Sequence, residues 1–313
     1  MEITKKDLED CHKRIKPFIH NTPVLRSSFI DKLSGAEVYF KCDNFQKMGA
    51  FKMRGATNAI LSLNTEQRKR GVVTHSSGNF AQAVSLAAKS IGIKAYIVMP
   101  STATEIKKTA VKSYGGELIE CDPTLEAREK KAQEIVDSKG STFLHPSNDI
   151  NVILGQGTAA MELIEKYNFL ENILVPVGGG GLIAGTALAT KFFGNRFTTI
   201  GAEPFEVDDA YRSLVSGKIE TNETANTIAD GLKTQLGDIN FPIIKEEVKS
   251  IIRVTENEII ESMRIIWERL KIIIEPSCSL PLAGILKNKE EFKNKKLGII
   301  ITGGNVDLNN LPF

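Results

Sequence analysis

Apolar residues fall into short runs and helical stripes that alternate along the chain. Residues 4–18 read as a short surface helix, and His20, Asn21, Thr22 and Pro23 form a turn signal. Residues 37–42 alternate and carry β-favouring side chains, which predicts a strand. A helix-compatible run covers 53–60 and ends near the polar stretch 64–70. A regular rhythm then begins, with strands at 71–75, 95–99 and 117–121 and helices at 79–90, 104–114 and 125–138. Pro100 closes the second of these strands, and Gly115, Gly116 and Gly140 mark helix ends. Strands alternating with helices of this length imply parallel β-α-β units. The block from 71 to 148 reads as one compact subdomain.

The alternation continues with a helix over 151–167, a buried-looking strand at 172–177, a helix at 182–193 and a strand at 198–203. Thr255 and Glu258 have the spacing of a capping box. They open a helix whose Ile259, Ile260, Met263, Ile266, Trp267 and Leu270 form a core-facing stripe. A last buried strand covers 297–302, and no regulatory domain is expected after it.

Composition narrows the class. With 42% hydrophobic and 25% charged residues the chain is an ordinary soluble globular protein of one or two domains. A net charge of +2 gives no electrostatic reason to expect nucleic acid or an acidic membrane as partner. Cys11, Cys42, Cys121 and Cys278 are scattered, as expected for reduced thiols in a cytoplasmic protein. Residues 1–10 are polar and include acids, unlike a targeting peptide, and no apolar run is long enough to span a bilayer.

Four stretches carry candidate chemistry. Lys52 follows Gly49, Ala50 and Phe51 at the start of a helix. The positive end of the helix dipole and partial burial both disfavour its charge, and a neutral amine suits Schiff-base chemistry. A solvated helix-start lysine is the alternative. Ser76, Ser77, Gly78 and Asn79 lie between a strand and a helix, where Ser77 or Asn79 could equally be a helix cap. Gly178, Gly179, Gly180 and Gly181 end a strand and precede a helix, which suits phosphate binding, though a flexible turn has the same appearance. Thr302, Gly303, Gly304 and Asn305 end the last strand. The three glycine-containing loops at 76–79, 178–181 and 302–305 fit the carboxyl ends of parallel strands, where α/β proteins bind ligands. The acidic loop from Glu203 to Asp209 reads either as a solvated turn or as oxygen ligands for Mg²⁺ or Ca²⁺.

Taken in order, Ala50-Phe51-Lys52-Met53-Arg54-Gly55, Ser76-Ser77-Gly78-Asn79, the tetraglycine and Thr302-Gly303-Gly304-Asn305 resemble the type II fold of pyridoxal-phosphate (PLP) enzymes, in the branch of serine racemases and serine/threonine dehydratases. The resemblance covers nearly the whole chain. It implies an α/β, tryptophan synthase β-like fold: two open twisted parallel-sheet domains with the cofactor in the cleft between them. Residues 1–70 and 149–313 would form the large domain and 71–148 a small mobile one. Lys52 would carry the cofactor and act as the base on one face, with Ser77 on the other. Phe51 would pack beside the ring and Asn79 bond its hydroxyl. Residues 178–181 would hold the phosphate, and Thr302 would meet the ring nitrogen. Ser76, Ser77, Asn79 and Arg128 would face the substrate. Glu203, the Val207 carbonyl and Asp209 would hold the divalent cation. A homodimer is also implied.

The sequence departs from that pattern in two places. Phe80 stands where the family's motif has histidine, and Cys278 follows Glu275-Pro276-Ser277 where a small residue is usual. His75 reads as structural. The expected reaction is β-elimination from serine or threonine to a 2-oxo acid and ammonia, with serine racemisation from the Lys52/Ser77 pair. Dehydration of 3-hydroxyaspartate is the nearest alternative. A β-replacement enzyme of the cysteine synthase type and a non-catalytic nucleotide-binding module are the remaining rivals.

Overall fold

The computed structural model describes residues 3–195 and 197–313. Its strands form two sheets. The larger contains β1 (Val24–Leu25), β2 (Glu37–Cys42), β7 (Asn172–Pro176), β8 (Thr198–Pro204), β9 (Val248–Val254) and β10 (Lys296–Ile301), in the order β1-β2-β10-β7-β8-β9. Only the short β1 runs antiparallel. The smaller contains β3 (Val72–His75), β4 (Ala95–Pro100), β5 (Glu117–Cys121) and β6 (Thr142–Phe143), in the order β5-β4-β3-β6, and is parallel throughout. The last strand of the chain, β10, therefore lies inside the larger sheet, between β2 and β7.

Local chemistry explains the element ends. Thr255 accepts from the Glu258 N–H while the Glu258 side chain accepts from the Thr255 N–H, the expected capping box. Asn64 and Gln67 make the same reciprocal pair. This turns the polar stretch into the short helix Thr65–Arg70, with Glu66 in its first turn and Arg68, Lys69 and Arg70 in its last, charges that favour the helix dipole.

Both faces of the larger sheet are covered, as parallel sheets require. On one, Ile173 and Val175 of β7 pack with Ile153, Leu163 and Ile183 from the helices Ile150–Lys166 and Gly181–Phe193. On the other, Phe40, Ile299 and Ile301 meet Met263 and Ile266 of the helix Glu256–Leu270, the predicted apolar stripe. A third core joins Met53, Ala56 and Ile60 of the helix Lys52–Leu61 to Phe80, Val84 and Ile97 around the smaller sheet. The Lys52 helix thus bridges the two layers. It can approach the helix Ile150–Lys166 closely because Gly55 faces Gly155, where an added Cβ would meet backbone at 2.5 Å. Among the described residues no helix is long and apolar enough to cross a membrane.

Candidate active site

Lys52 is the first residue of its helix and is part-buried. Nζ donates to the Pro146 carbonyl at 2.8 Å and lies 5.1 Å and 5.6 Å from the ring centres of Phe51 and Phe80. Burial lowers its pKa from 10.5 to about 8, and the charge of Glu275 opposes this only in part. Phe80, the departure at the histidine position, therefore contributes an apolar wall to the amine. Its neighbour Met53 and the helix behind it are held by Arg54, which is fully buried between Asp43 and Glu162 (Nε to Asp43 at 2.6 Å, Nη1 to Glu162 at 2.8 Å).

The other motifs converge on this amine. The Phe51 N–H donates to the Thr302 carbonyl at 2.9 Å and the Gly304 N–H to the Gly49 carbonyl at 2.9 Å, while Ala50 and Gly303 form an antiparallel bridge. The two loops, some 250 residues apart in sequence (302 against 51), are thus laced together. Neither Ser77 nor Asn79 caps the helix Asn79–Ile91; its N-cap is Gly78, without a side-chain bond. The Asn79 side chain instead donates to both Glu275 oxygens at 3.1 and 3.0 Å and accepts from Asn305 at 2.8 Å. Burial raises the Glu275 carboxyl to about 7, against the opposing bond from Asn79. Thr302 is buried, and its hydroxyl lies 3.1 Å from the Cys278 sulfur.

The tetraglycine occupies the turn from β7 into the helix Gly181–Phe193, with Gly180 at φ +81°. A Cβ at Gly179 would sit 2.5 Å from the Ser147 hydroxyl, at Gly180 2.6 Å from the Asn240 side chain, and at Gly181 2.9 Å from Ser147 Cα. The cradle is therefore built for bare backbone, not merely flexible. Ser147 follows Pro146, the acceptor of the Lys52 amine, so this cradle and the lysine share one loop. Nearby, the Ser277 hydroxyl is buried without a hydrogen-bond partner. A backbone cradle at a helix N-terminus, an uncharged-prone amine and an orphaned hydroxyl fit a phosphate-bearing carbonyl cofactor.

Ser76 and Ser77 are half-buried in the loop between β3 and Asn79; the Ser76 hydroxyl accepts from the Gly78 N–H at 3.3 Å. Arg128 lies in the first turn of the helix Leu125–Lys139, its Nε donating to the Thr124 carbonyl at 3.3 Å. His75 stacks on Phe143 at 5.3 Å, and burial first, then Arg128, lowers its pKa. Sequence reasoning missed His145. Its Nδ1 accepts the N–H groups of Ser147 and Asn148 at 3.2 and 2.8 Å, and burial, His75 and Lys52 push its pKa to about 4. A neutral imidazole therefore organises the Pro146–Ser147 turn.

The acidic loop is not a solvated turn, since Glu203, Val207 and Asp209 are all buried. The Glu203 oxygens accept from the Ala210 and Tyr211 N–H groups at 3.1 and 2.8 Å. Asp209 accepts from Asn222 at 2.6 Å and from the Leu236 N–H at 3.2 Å. Burial and then the neighbouring Asp209 raise the Glu203 pKa, and burial raises Asp209 to about 6. Among the described residues neither carboxylate forms an ion pair, and no group of three or more His, Cys, Asp or Glu side chains is placed to hold a metal. A cation here would rest on two carboxylates, the Val207 carbonyl and water.

Comparison with known proteins agrees with this geometry. Residues 15–303 match the family described as pyridoxal-phosphate dependent enzyme. The chain is 50% identical to the serine racemase of Dictyostelium discoideum, over 99% of this chain and 97% of the relative. It is 46% identical to the beta-hydroxyaspartate dehydratase of Paracoccus denitrificans, over 99% and 98%. The crystal structure of the Dictyostelium enzyme superposes with a TM-score of 0.94, covering 98% of this chain and 99% of the other. The structure of maize serine racemase gives 0.96 at 43% identity, covering 99% and 95%. With three further sequence motifs gathered around one part-buried lysine and a family match across most of its length, the chain belongs to the pyridoxal-phosphate-dependent enzymes, in their type II fold.

Proposed function

We propose that this protein eliminates water from serine or threonine to give a 2-oxo acid and ammonia, and racemises serine at the same site. The observation that carries the reading is a lysine amine held near neutrality by burial, within the loop network that also contains Asn79, Thr302 and the glycine cradle. Bound pyridoxal phosphate supplies an electron sink that makes the substrate Cα proton acidic. Lys52 would hold that group and take the Cα proton, which a buried amine with a pKa of about 8 can do near neutral pH. Phe51 would pack beside the ring, Asn79 would donate to its hydroxyl, Thr302 would meet its nitrogen, and residues 178–181 would cradle the phosphate. Arg128 and Ser76 would orient the substrate carboxylate, with Asn79 at the same edge. Ser77 would deliver or remove a proton on the face opposite Lys52.

Glu203, Val207 and Asp209 would hold Mg²⁺ or Ca²⁺; two buried carboxylates without an ion pair among the described residues support this. Residues 71–148, which carry the smaller sheet, would be the small mobile domain, and 1–70 with 149–313 the large one. Four free cysteines, three of them buried, support a cytoplasmic setting. The homodimer rests on the resemblance alone.

The test is a product assay with L- and D-serine, L-threonine and 3-hydroxyaspartate, with and without chelator. Ser77→Ala is expected to reduce racemisation and D-serine elimination at least ~100-fold while L-serine elimination falls less than ~10-fold. Equal loss of all three removes Ser77 from the proposal. A preference for 3-hydroxyaspartate would favour the second reading, which the similarity to the Paracoccus enzyme keeps open.

A further inference from the structure

The tetraglycine has a weakness that its own residues do not cure. Glycines on both sides leave the Gly179–Gly180 peptide free to rotate, and one orientation presents a carbonyl oxygen where the other presents an N–H. A cradle for an anion needs the second. Asn240, the first residue of the helix Asn240–Glu247, meets this peptide at its carbonyl and is fully buried. Its Nδ2 donates to the Gly179 carbonyl at 2.9 Å and to the Ser147 carbonyl at 3.2 Å, while its Oδ1 accepts the Gly237 N–H at 3.1 Å. Donors on carbonyls and the acceptor on an N–H leave the carboxamide one orientation. Its backbone is held as well: Asn148 Oδ1 accepts the N–H groups of Ile239 and Asn240 at 2.9 and 3.3 Å.

We infer that Asn240 is a positioning residue for the cofactor's phosphate: by holding the Gly179 carbonyl it turns the Gly180 N–H to the opposite side, into the anion cradle. This rests on the reading that residues 178–181 hold that phosphate. A trans peptide is planar with its C=O and N–H antiparallel, so fixing the one aims the other. The peptide after Ser147 shows the same geometry. Its carbonyl goes to Asn240, and its N–H, that of Asn148, goes the other way to His145 Nδ1 at 2.8 Å. Among the described residues the Gly180 N–H donates to no protein group, which leaves it available to a ligand. One buried carboxamide therefore sets two peptides at once. The first lies in the cradle, and the second lies in the loop whose Pro146 carbonyl accepts the Lys52 amine.

The test compares two aldehydes on the apoprotein, pyridoxal phosphate and pyridoxal, which share the ring and the group that Lys52 captures and differ only in the phosphate. The variants are Asn240→Asp, which keeps the shape and the acceptor but sets an oxygen against both carbonyls, and Asn240→Ala, which removes the brace without burying a charge. Loss of one well-aimed N–H to a charged group corresponds to a Kd for pyridoxal phosphate about 10–100-fold weaker. The Kd for pyridoxal should stay within about 3-fold of wild type in both variants. If the wild-type chain binds the two aldehydes equally well, the reading of the glycine cradle itself fails. If the wild type prefers pyridoxal phosphate but the variants weaken both aldehydes by the same factor, Asn240 serves only the fold and the inference is overturned. Variants that bind pyridoxal phosphate as wild type does overturn it too. Melting temperatures of the apoproteins identify a folding defect, and Asn240→Ala carries the test where the buried charge of Asn240→Asp prevents folding.

Discussion

Lys52 and Arg54 stand two residues apart on one helix, the first part-buried and the second fully buried, and their pKa values move in opposite directions. At Lys52, desolvation is opposed only by Glu275, and the amine's hydrogen bond goes to a carbonyl instead; the pKa falls to about 8. At Arg54, desolvation also acts, but Asp43 and Glu162 outweigh it and raise the pKa. Glu162 itself, pushed up by burial, is held below the usual carboxylate range by bonds from His12 and Arg54 and by Lys41. The difference teaches that burial alone does not decide what a charge becomes. A cation with carboxylate partners is a fixed structural pin; one with a carbonyl and two aromatic rings gives up its proton more readily. The Glu203/Asp209 pair repeats the contrast among acids, being buried as deeply as Asp43 but without its cation.

Removing the pin should have the largest effect. Arg54→Met leaves Asp43 and Glu162 buried without their main partner, and is expected to lower unfolding stability by ~3–5 kcal/mol in urea titration. A loss below about 1 kcal/mol would show that Lys41 and His12 suffice to hold Glu162. The unpaired acids come next. Asp209 has its pKa raised in the folded state, so its favourable contribution is complete below pH 3.8 and is lost as pH rises through about 6. A divalent cation that holds both acids ionised should reverse this, raising the melting temperature near neutral pH and little at about pH 5. At a hundredfold excess over its Kd the cation adds about 2.7 kcal/mol. Glu203→Gln should abolish the response; a response that survives places the cation elsewhere.

The last prediction concerns Lys52. Folded Lys52 binds its proton less tightly than the unfolded chain does, so apoprotein stability should rise as pH climbs from about 8 toward 10.5. Lys52→Met should flatten that rise and, because it removes a charge that burial disfavours, leave the apoprotein no less stable at neutral pH. If it destabilises as strongly as Arg54→Met, the amine is a pin after all and the contrast collapses.

Much of the site was visible in the sequence because glycine and strand-end patterns are local. The β3–β5 rhythm and the turn into the helix Gly181–Phe193 needed only hydrophobic runs and glycines nearby. The partners of Arg54 were not visible: Glu162 lies 108 positions away, and nothing in its own helix marks it as a counter-ion. His145 was missed for the same reason, since its relation to Lys52 passes through a turn 94 positions distant. The stretch between β8 and the helix Glu256–Leu270 also escaped reading. There β9 is an edge strand with exposed Lys249 interrupting its apolar run, and the helix Asn240–Glu247 carries Pro242 in its first turn. Those local signals point to a loop, and packing against β8 and the helix Gly181–Phe193 overrides them.

The position of β10 has a consequence for how the molecule is made. A chain emerging from the ribosome presents β2, β7, β8 and β9 long before the strand that belongs between the first two of them. Until β10 arrives, β2 and β7 each expose an unpaired inner edge, an invitation to pair with another chain. The same late segment brings Thr302 and Gly304 to the Lys52 loop. Nascent or truncated chains ending before β10 should therefore aggregate and remain unable to bind the cofactor, and the last steps of synthesis should create the sheet and the pocket in one event.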